Sequence, residues 1–308
     1  MNRKIKVFAP ATIANMGCGF DVMGMALEMV GDVLEVSVSA GFGLQIDNQS
    51  GVVLPVRVDK NVIAPAVLAF LDAYGKELKV EVTVLKKILP GSGIGSSAAS
   101  SAAVVFALNE LLSCPFGLTA LVPFAMEGER LISGSAHADN VGPSLLGGIV
   151  FIRGYEPLDI IQLPVPEAFY CTVVHPHIMV STRAAREVLR KEIPLRDAVI
   201  QWGNVGGLVA GLALGNLELV GRSMQDVVAE PYRKHFIPLY DELKSVVMSA
   251  GALAVNISGS GPSVFALSAS PEIAEATGKL MQQHFDNLGI DTDVYVSGVA
   301  RSGARVIN

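Results

Sequence analysis

Residues 90–103 read PGSGIGSSAASSAA, and Ile94 is the one side chain in that stretch larger than proline. A chain gives up bulk for this long where its backbone must come close to something, and neighbouring glycines let several N–H groups turn toward one point. Ahead of the run, KVEVTVLKKI at 79–88 alternates as a strand does; behind it, SSAASSAAVVFALNELL at 96–112 reads as a buried helix. A strand, a glycine turn and a helix opening at Ser96 and Ser97 make an anion site, because loop N–H groups and the helix N-terminus face the same negative charge. Tight packing of the helix on a neighbour would also use small residues. The density of glycine favours a phosphate, since a glycine costs stability unless close approach or a left-handed conformation needs it.

Two common phosphate loops fit poorly. A loop of the G-x-x-x-x-G-K-[ST] type needs a lysine, and none occurs between Lys87 and Lys191. Gly93-Ile-Gly95-Ser-Ser-Ala98 satisfies the dinucleotide pattern G-x-G-x-x-[GA]. Its acidic partner fails, because Glu110 lies in the same predicted helix and not at the end of a second strand.

The remaining chain bounds the setting. At 308 residues it has length for about two domains, with 51% hydrophobic and 17% charged residues and no low-complexity tail, so it reads as globular and of enzyme size. A net charge of −6 argues against a nucleic-acid or anionic-membrane surface. The start, MNRKIKVFAPATIANM, lacks the apolar core of a secretory signal, and no apolar run approaches the roughly 20 residues of a membrane span. Cys18, Cys114 and Cys171 are odd in number and far apart, which fits a reducing cytoplasm better than disulfides or zinc.

Strands are expected at 4–11, 34–40 and 44–47, and helices at 61–75 and 118–133. The Pro-rich stretch at 155–169 is the boundary candidate, dividing the chain into 1–155 and 156–308. Beyond it come the strand YCTVVHP, the helix STRAAREVLRKE, a glycine-interrupted helical segment at 198–221, the strand–turn–strand ALAVNISGSGPSVFALSA, a helix near 271–288 and the strand DVYVSGV. Strands and helices mix without a regular βαβ repeat, so the class is α+β.

Three segments carry a resemblance. Pro90-Gly91-Ser92-Gly93-Ile94-Gly95-Ser96-Ser97-Ala98 resembles the second motif of the GHMP kinases, with Ile94 where leucine is usual; APATIANMGCGFDVMGMAL resembles the first, and NISGSGPSVFAL the third, in the same order and spacing. Within the family, ANMGCGFDVMGMAL and GSAHADNVGPSLLGG look most like members that act on L-homoserine. The resemblance implies the two-domain GHMP kinase fold, with an N-terminal domain like ribosomal protein S5 domain 2 and a ferredoxin-like C-terminal domain. It also implies ATP with Mg²⁺ and phosphoryl transfer to the side-chain hydroxyl of L-homoserine in threonine biosynthesis, and a homodimer is common among similar proteins. A mevalonate- or sugar-type kinase of the same family and a catalytically silent nucleotide-binding paralogue are the alternatives.

Homoserine is a small zwitterion, so its pocket needs an acid for the ammonium and cations for the carboxylate. By resemblance, Asp21 pairs with the ammonium and Asn15 hydrogen-bonds nearby, although an acid beside Gly19 and Phe20 also suits a turn. Thr182 and Arg186 stand four apart, on one face of a helix, and Arg233 matches a second family arginine. Two guanidinium forks suit a carboxylate; two solvated surface arginines are the plain alternative. His137 and Asp139, in HADN, belong near the substrate. A catalytic base falls on Asp139, or the alignment selects Asn140, or positioning and charge neutralisation suffice, because the transition state of phosphoryl transfer is loose.

Ser97 and Glu129 resemble the family's Mg²⁺ ligands, with Glu127 excluded from the same helix face and four residues before Ser133 selecting Glu129. Asn61 resembles the residue near adenine and is equally a favoured N-cap. Pro90 to Ala98 would hold the ATP phosphates, and the turn from Gly259 to Pro262 would abut that loop. His175 and His177 could share a metal from one strand face, without a third ligand nearby. The apolar stripe at 98–112 is core.

Overall fold

The computed structural model describes residues 3–134 and 136–308. The first half runs β1 (Arg3–Ala14), β2 (Met23–Ala40), β3 (Gly43–Asn48), α1 (Ile63–Tyr74), β4 (Leu78–Lys86), α2 (Ser96–Leu111), α3 (Val122–Ser133), α4 (Ala138–Leu146), β5 (Ile149–Tyr155) and β6 (Leu158–Leu163). The second half continues β7 (Tyr170–Pro176), α5 (Thr182–Glu187), α6 (Leu195–Leu214), α7 (Leu217–Ser223), α8 (Glu230–Arg233) and α9 (Tyr240–Ser249). It closes with β8 (Ala254–Ile257), β9 (Val264–Ser268), α10 (Pro271–Asp286), β10 (Thr292–Gly298) and β11 (Arg305–Ile307).

Two sheets result. The first has the order β11-β1-β2-β4-β3, with β5 on the early part of β2 and β6 beyond it; the second has the order β10-β7-β9-β8. Among the described residues only β3 and β4 pair in parallel, which makes the chain α+β in architecture, with strands mostly joined by antiparallel pairing. The hairpin β5–β6 straddles position 155/156, and β11 returns from the far end of the chain to pair with β1. Strand pairing therefore puts 158–163 and 305–307 in the first sheet.

Local sequence explains the elements that position the site. In β4 the residues Val80, Val82 and Val84 are buried while their neighbours are partly exposed, as half-buried alternation requires. Helix α2 is buried nearly all round, and its alanines and serines let the first sheet, α1 and α3 approach it closely. Phe70 of α1 seals that core, edge-on to Phe116 and Phe124 at centroid distances of 5.2 and 5.7 Å; burying such a side chain contributes about 1.5–3 kcal/mol. A second core joins the sheets, with Ile13, Met23 and Met25 from one and Cys171, Phe265 and Leu267 from the other. Among the described residues no helix is long and apolar enough to cross a membrane.

Two expectations needed revision. The strand expected at 34–40 begins at Met23, because Gly24 is not punctuation but a close-contact residue: a Cβ there would lie 1.7 Å from the Asp139 carbonyl oxygen. Its counterpart is α4, unforeseen because ADNVGPSLL contains Gly142 and Pro143. Proline has no N–H to return to the carbonyl four residues earlier, so Asp139 C=O is left open on the side where Gly24 packs. The bare backbone of β2 and the proline of α4 thus fit together, fixing the helix that carries Asp139 and Asn140.

Candidate active site

Gly91, Gly93 and Gly95 all adopt left-handed φ, of 79°, 80° and 70°. Space alone demands glycine at two of them: a Cβ on Gly93 would lie 2.7 Å from the Gly261 carbonyl oxygen, and one on Gly95 would lie 2.0 Å from Thr12 Oγ1. The loop's carbonyls are pulled into the protein. Ser258 Oγ donates to Gly93 O at 2.7 Å, Ser263 Oγ to Ser92 O at 2.5 Å, and the Thr12 N–H to Ile94 O at 3.1 Å. The N–H groups of Gly93, Ile94 and Gly95 have no partner among the described residues, at the mouth of α2, where an anion is favoured.

Beneath the loop sits a lysine that the motif does not contain. Lys87 Nζ lies 2.7 Å from Asp32 Oδ2 and also donates to Ser96 O and Ser96 Oγ, at 2.5 and 2.7 Å. Asp32 is fully buried and accepts two further bonds, from the Ile88 N–H at 2.8 Å and from Ser100 Oγ at 2.6 Å. The charge pair is thus fully hydrogen-bonded, the condition under which burial of two ions is tolerable.

A cleft enclosing about 990 Å³, part of it open to solvent, runs from this loop. One end is apolar, lined by Leu54, Pro55, Val62, Ile63 and Val84; the other presents Gly91, Gly93, Gly95, Ser96 and Ser97, with Glu129, Asn140, Thr182 and Gly259 beyond. A flat heterocycle suits the first end and phosphates the second. Asn61 lines the cleft, yet its amide is spent on the backbone: Oδ1 accepts from the Ile63 N–H at 3.0 Å and Nδ2 donates to Pro55 O at 2.6 Å.

Charged groups collect past Thr182. Asp21 lies on the turn between β1 and β2, where Asn15 and Asp21 both take left-handed φ, a conformation these two residue types tolerate. Asn15 holds the turn by accepting from the Asp21 N–H at 3.0 Å and donating to Gly259 O at 3.2 Å. Arg186 grips Asp21 with both ends of its fork, at 2.8 and 3.1 Å, and donates to His137 Nδ1 at 3.0 Å. Arg233 is fastened instead to backbone, the Ala185 and Gly259 carbonyls, at 3.1 and 2.7 Å. Phe20 lies between the two guanidiniums, 5.3 Å from Arg186 and 5.2 Å from Arg233. Tyr155 ties the cluster to α4, donating to Asp21 O at 2.7 Å and accepting from the Ala138 N–H at 3.2 Å.

Burial sets the protonation states. It pushes His137 below the usual imidazole range, against the pull of Asp21. The Asp139 carboxyl is pushed up to about 8, first by burial and then by repulsion from Asp21 and Glu129. Glu129 is raised by burial as well, opposed by a hydrogen bond from Ser97 and the charge of Lys87. Ser97 and Glu129 are therefore adjacent oxygen donors on the cleft wall, a set that suits a hard cation such as Mg²⁺.

The fold brings together Asn15, Asp21, His137, Arg186 and Arg233, and it sets Thr182, Asn140, Ser97 and Glu129 along the adjoining cleft. Asn140 is oriented by Thr12, whose hydroxyl donates to Oδ1 at 2.7 Å. Ser92, Ile94 and Ala98 turn their side chains into the protein and not toward the cleft. The rings of His175 and His177 are 5.8 Å apart between centroids, with His175 Nδ1 3.3 Å from Ser263 Oγ and His177 Nε2 3.0 Å from Asp293 Oδ2; among the described residues no group of three metal-ligating side chains forms. Sequence reasoning missed Lys87, Asp32, Phe20, Tyr155 and the apolar wall of Leu54 and Pro55. The KK pair ending the strand before the loop was the one available signal for Lys87.

Comparison with known proteins gives a consistent result. The GHMP kinases N terminal domain matches residues 61–148 and the GHMP kinases C terminal domain matches residues 208–287. A homoserine kinase of Chlorobium phaeovibrioides is 46% identical over 319 residues, covering 99% of this chain and 100% of the relative. One from Chlorobium phaeobacteroides is 46% identical over 314 residues, covering 97% and 98%. A crystal structure of homoserine kinase from Cytophaga hutchinsonii superposes with a TM-score of 0.94 at 50% identity, covering 99% of this chain and 97% of that one.

Proposed function

The chain belongs to the GHMP kinases, and on that premise we propose that it transfers the γ-phosphate of ATP to the side-chain hydroxyl of L-homoserine, giving O-phospho-L-homoserine for threonine biosynthesis. It is an ATP-dependent kinase acting on an alcohol, since ATP is the phosphate donor of this family. The observation that carries the acceptor is the cluster of one carboxylate, Asp21, with two guanidiniums, Arg186 and Arg233, next to the phosphate end of the cleft. Mevalonate offers a carboxylate to the arginines but no ammonium to Asp21, and a sugar has neither charge, so neither acceptor would use the whole set. The three cysteines are free, which fits a reducing compartment such as the cytoplasm.

In this reading the apolar end of the cleft takes the adenine and the loop from Gly91 to Ser97 takes the phosphates. Ser97 and Glu129 would hold Mg²⁺, which supplies charge neutralisation on the phosphate oxygens when bound. The homoserine oxygen forms a bond to the γ-phosphorus as the bond to the β,γ-bridging oxygen breaks; ADP leaves, and the hydroxyl proton passes to solvent or to the transferred phosphoryl group. No side chain needs to act as base. Asp139 is buried, and its carboxyl is pushed up to about 8, which favours its protonated form at neutral pH. The enzyme's part is then alignment by Thr182, Asn140 and the arginines, which a loose transition state permits.

The direct test is product identification. The protein is incubated with Mg-ATP and L-homoserine, and the product is read by phosphorus NMR and mass. A phosphoester on the homoserine side chain is expected; ATP bound intact with no phosphoester formed would defeat the reading in favour of a silent paralogue.

A further inference from the structure

Helix α6 buries one polar side chain among apolar and small neighbours, that of Gln201. Its amide is fully engaged. Nε2 donates to Cys18 O at 2.6 Å and to Asp226 Oδ1 at 3.0 Å, while Oε1 accepts from the Val227 N–H at 3.0 Å. Turned over, the same amide would set its oxygen against two acceptors and its NH₂ against a donor, so one orientation alone satisfies the surroundings. We propose that Gln201 is a positioning residue, which ties the β1–β2 turn to the segment that leads into α8 and so fixes where Asp21 and Arg233 stand. It rests on the homoserine reading above.

The two segments that Gln201 joins already touch. A Cβ on Gly17, next to Cys18, would lie 2.4 Å from the Met224 carbonyl oxygen, so the backbone of the turn lies directly on the backbone ahead of α8. Cys18 is buried and stands three residues before Asp21. Asn15 closes the turn from within by accepting from the Asp21 N–H, and Gln201 holds it from outside.

On the other side the link runs through Asp226. Helix α8 has four residues, and Ala229 at its start supplies no side-chain cap. The Asp226 carboxylate does that work, accepting from the N–H groups of Val228 at 2.8 Å, Ala229 at 3.1 Å and Glu230 at 2.8 Å. Hydrogen bonds to an ionised carboxylate are the strong kind, so this clamp sets the course of the chain into α8. Arg233 follows at the end of that helix, its guanidinium on the Ala185 and Gly259 carbonyls.

Neither Gln201 nor Asp226 lines the cleft, and none of their bonds reaches the glycine loop. Cutting the link should therefore be felt by the amino-acid acceptor and not by ATP. Gln201→Met keeps the length of the side chain and removes all three bonds. It is expected to raise KM for homoserine about tenfold, with KM for ATP and kcat within about twofold of wild type. Asp226→Asn, which keeps an acceptor for part of the cap, should raise KM for homoserine about threefold. The double variant should stay near tenfold, because both substitutions open the same link.

A stability control completes the set. Thr277→Val on α10 loses another buried hydrogen bond, from Thr277 Oγ1 to Ala274 O at 2.9 Å, and is expected to lower the melting temperature without moving either KM. Multiplied effects in the double variant, KM values for both substrates rising together, or an equal rise in the control would make Gln201 a residue of general stability and overturn the proposal. If Gln201→Met does not fold, Asp226→Asn decides alone, and an unchanged KM for homoserine overturns the proposal while leaving the homoserine reading in place. No turnover of homoserine by the wild-type protein would overturn both.

Discussion

Lys87 and Asp32 form an ion pair 2.7 Å apart, with side chains 4% and 0% exposed, at the point where the first turn of α2 begins. Its place explains how a glycine loop without its own lysine is held. The cation grips the Ser96 carbonyl and hydroxyl from below, so the loop N–H groups above remain available to a ligand. Lys87→Met leaves the Asp32 carboxylate buried without its counter-ion and is expected to cost about 3–5 kcal/mol of stability. Urea denaturation checks this, and the double variant Asp32→Asn with Lys87→Met should recover part of the loss. A single variant within about 1 kcal/mol of wild type would remove the pair from this role.

Gly95 is the hinge between that loop and α2. A methyl group there would meet Thr12 Oγ1 at 2.0 Å in a backbone already at φ 70°. Gly95→Ala is expected to cost about 1–3 kcal/mol and to weaken ATP binding at least as much as it weakens the fold. Calorimetric titration with a non-hydrolysable ATP analogue, beside a melting curve, separates the two effects. Unaltered nucleotide affinity would take Gly95 out of the phosphate site.

Asp139 makes stability depend on pH in a definite direction. Burial, with repulsion from Asp21 and Glu129, pushes its carboxyl up from the ordinary 3.8 to about 8 in the folded chain. Between those values the folded state holds the extra proton, so the contribution is fully present below the unfolded pKa and is lost as pH rises through about 8. Asp139→Asn cannot lose a proton, so the difference in melting temperature, variant minus wild type, should grow from pH 5 to pH 8. The same variant is expected to keep most of kcat, because positioning carries the reaction. A loss of 1,000-fold or more, on the order of what a general base contributes, would instead make Asp139 the base.

Tyr155 couples the turn that carries Asp21 to α4 through one hydroxyl, which donates to Asp21 O and accepts from the Ala138 N–H. Tyr155→Phe is expected to raise KM for homoserine several-fold with KM for ATP nearly unchanged, since the phosphate loop lies on other elements. A parallel rise in both constants would point to a general loosening of the fold.

Much of the molecule is legible in the sequence. The strand, glycine turn and helix around 79–112 declare themselves through alternation, through small residues and through an apolar helix, all of which are local signals. Arg186 four residues after Thr182, and Asp21 in its turn, were equally legible. What escaped depends on contacts far apart in sequence. Lys87 meets a partner 55 residues away, and no spacing rule points to it. Gly24 and Pro143 each look like a break in regular structure, although together they let β2 lie on the Asp139 carbonyl of α4. Tyr155 sits beside a stretch that reads as a linker but pairs as the hairpin β5–β6.

The most direct measurement is ADP release from Mg-ATP with L-homoserine as acceptor, run beside mevalonate, galactose and no acceptor. Release with homoserine alone, at least 100-fold above the other three, is the result expected of a pocket built around Asp21, Arg186 and Arg233, where discrimination against an acceptor lacking paired charges is on that order. Comparable release with mevalonate or galactose, or none with any acceptor while ATP still binds, would contradict it.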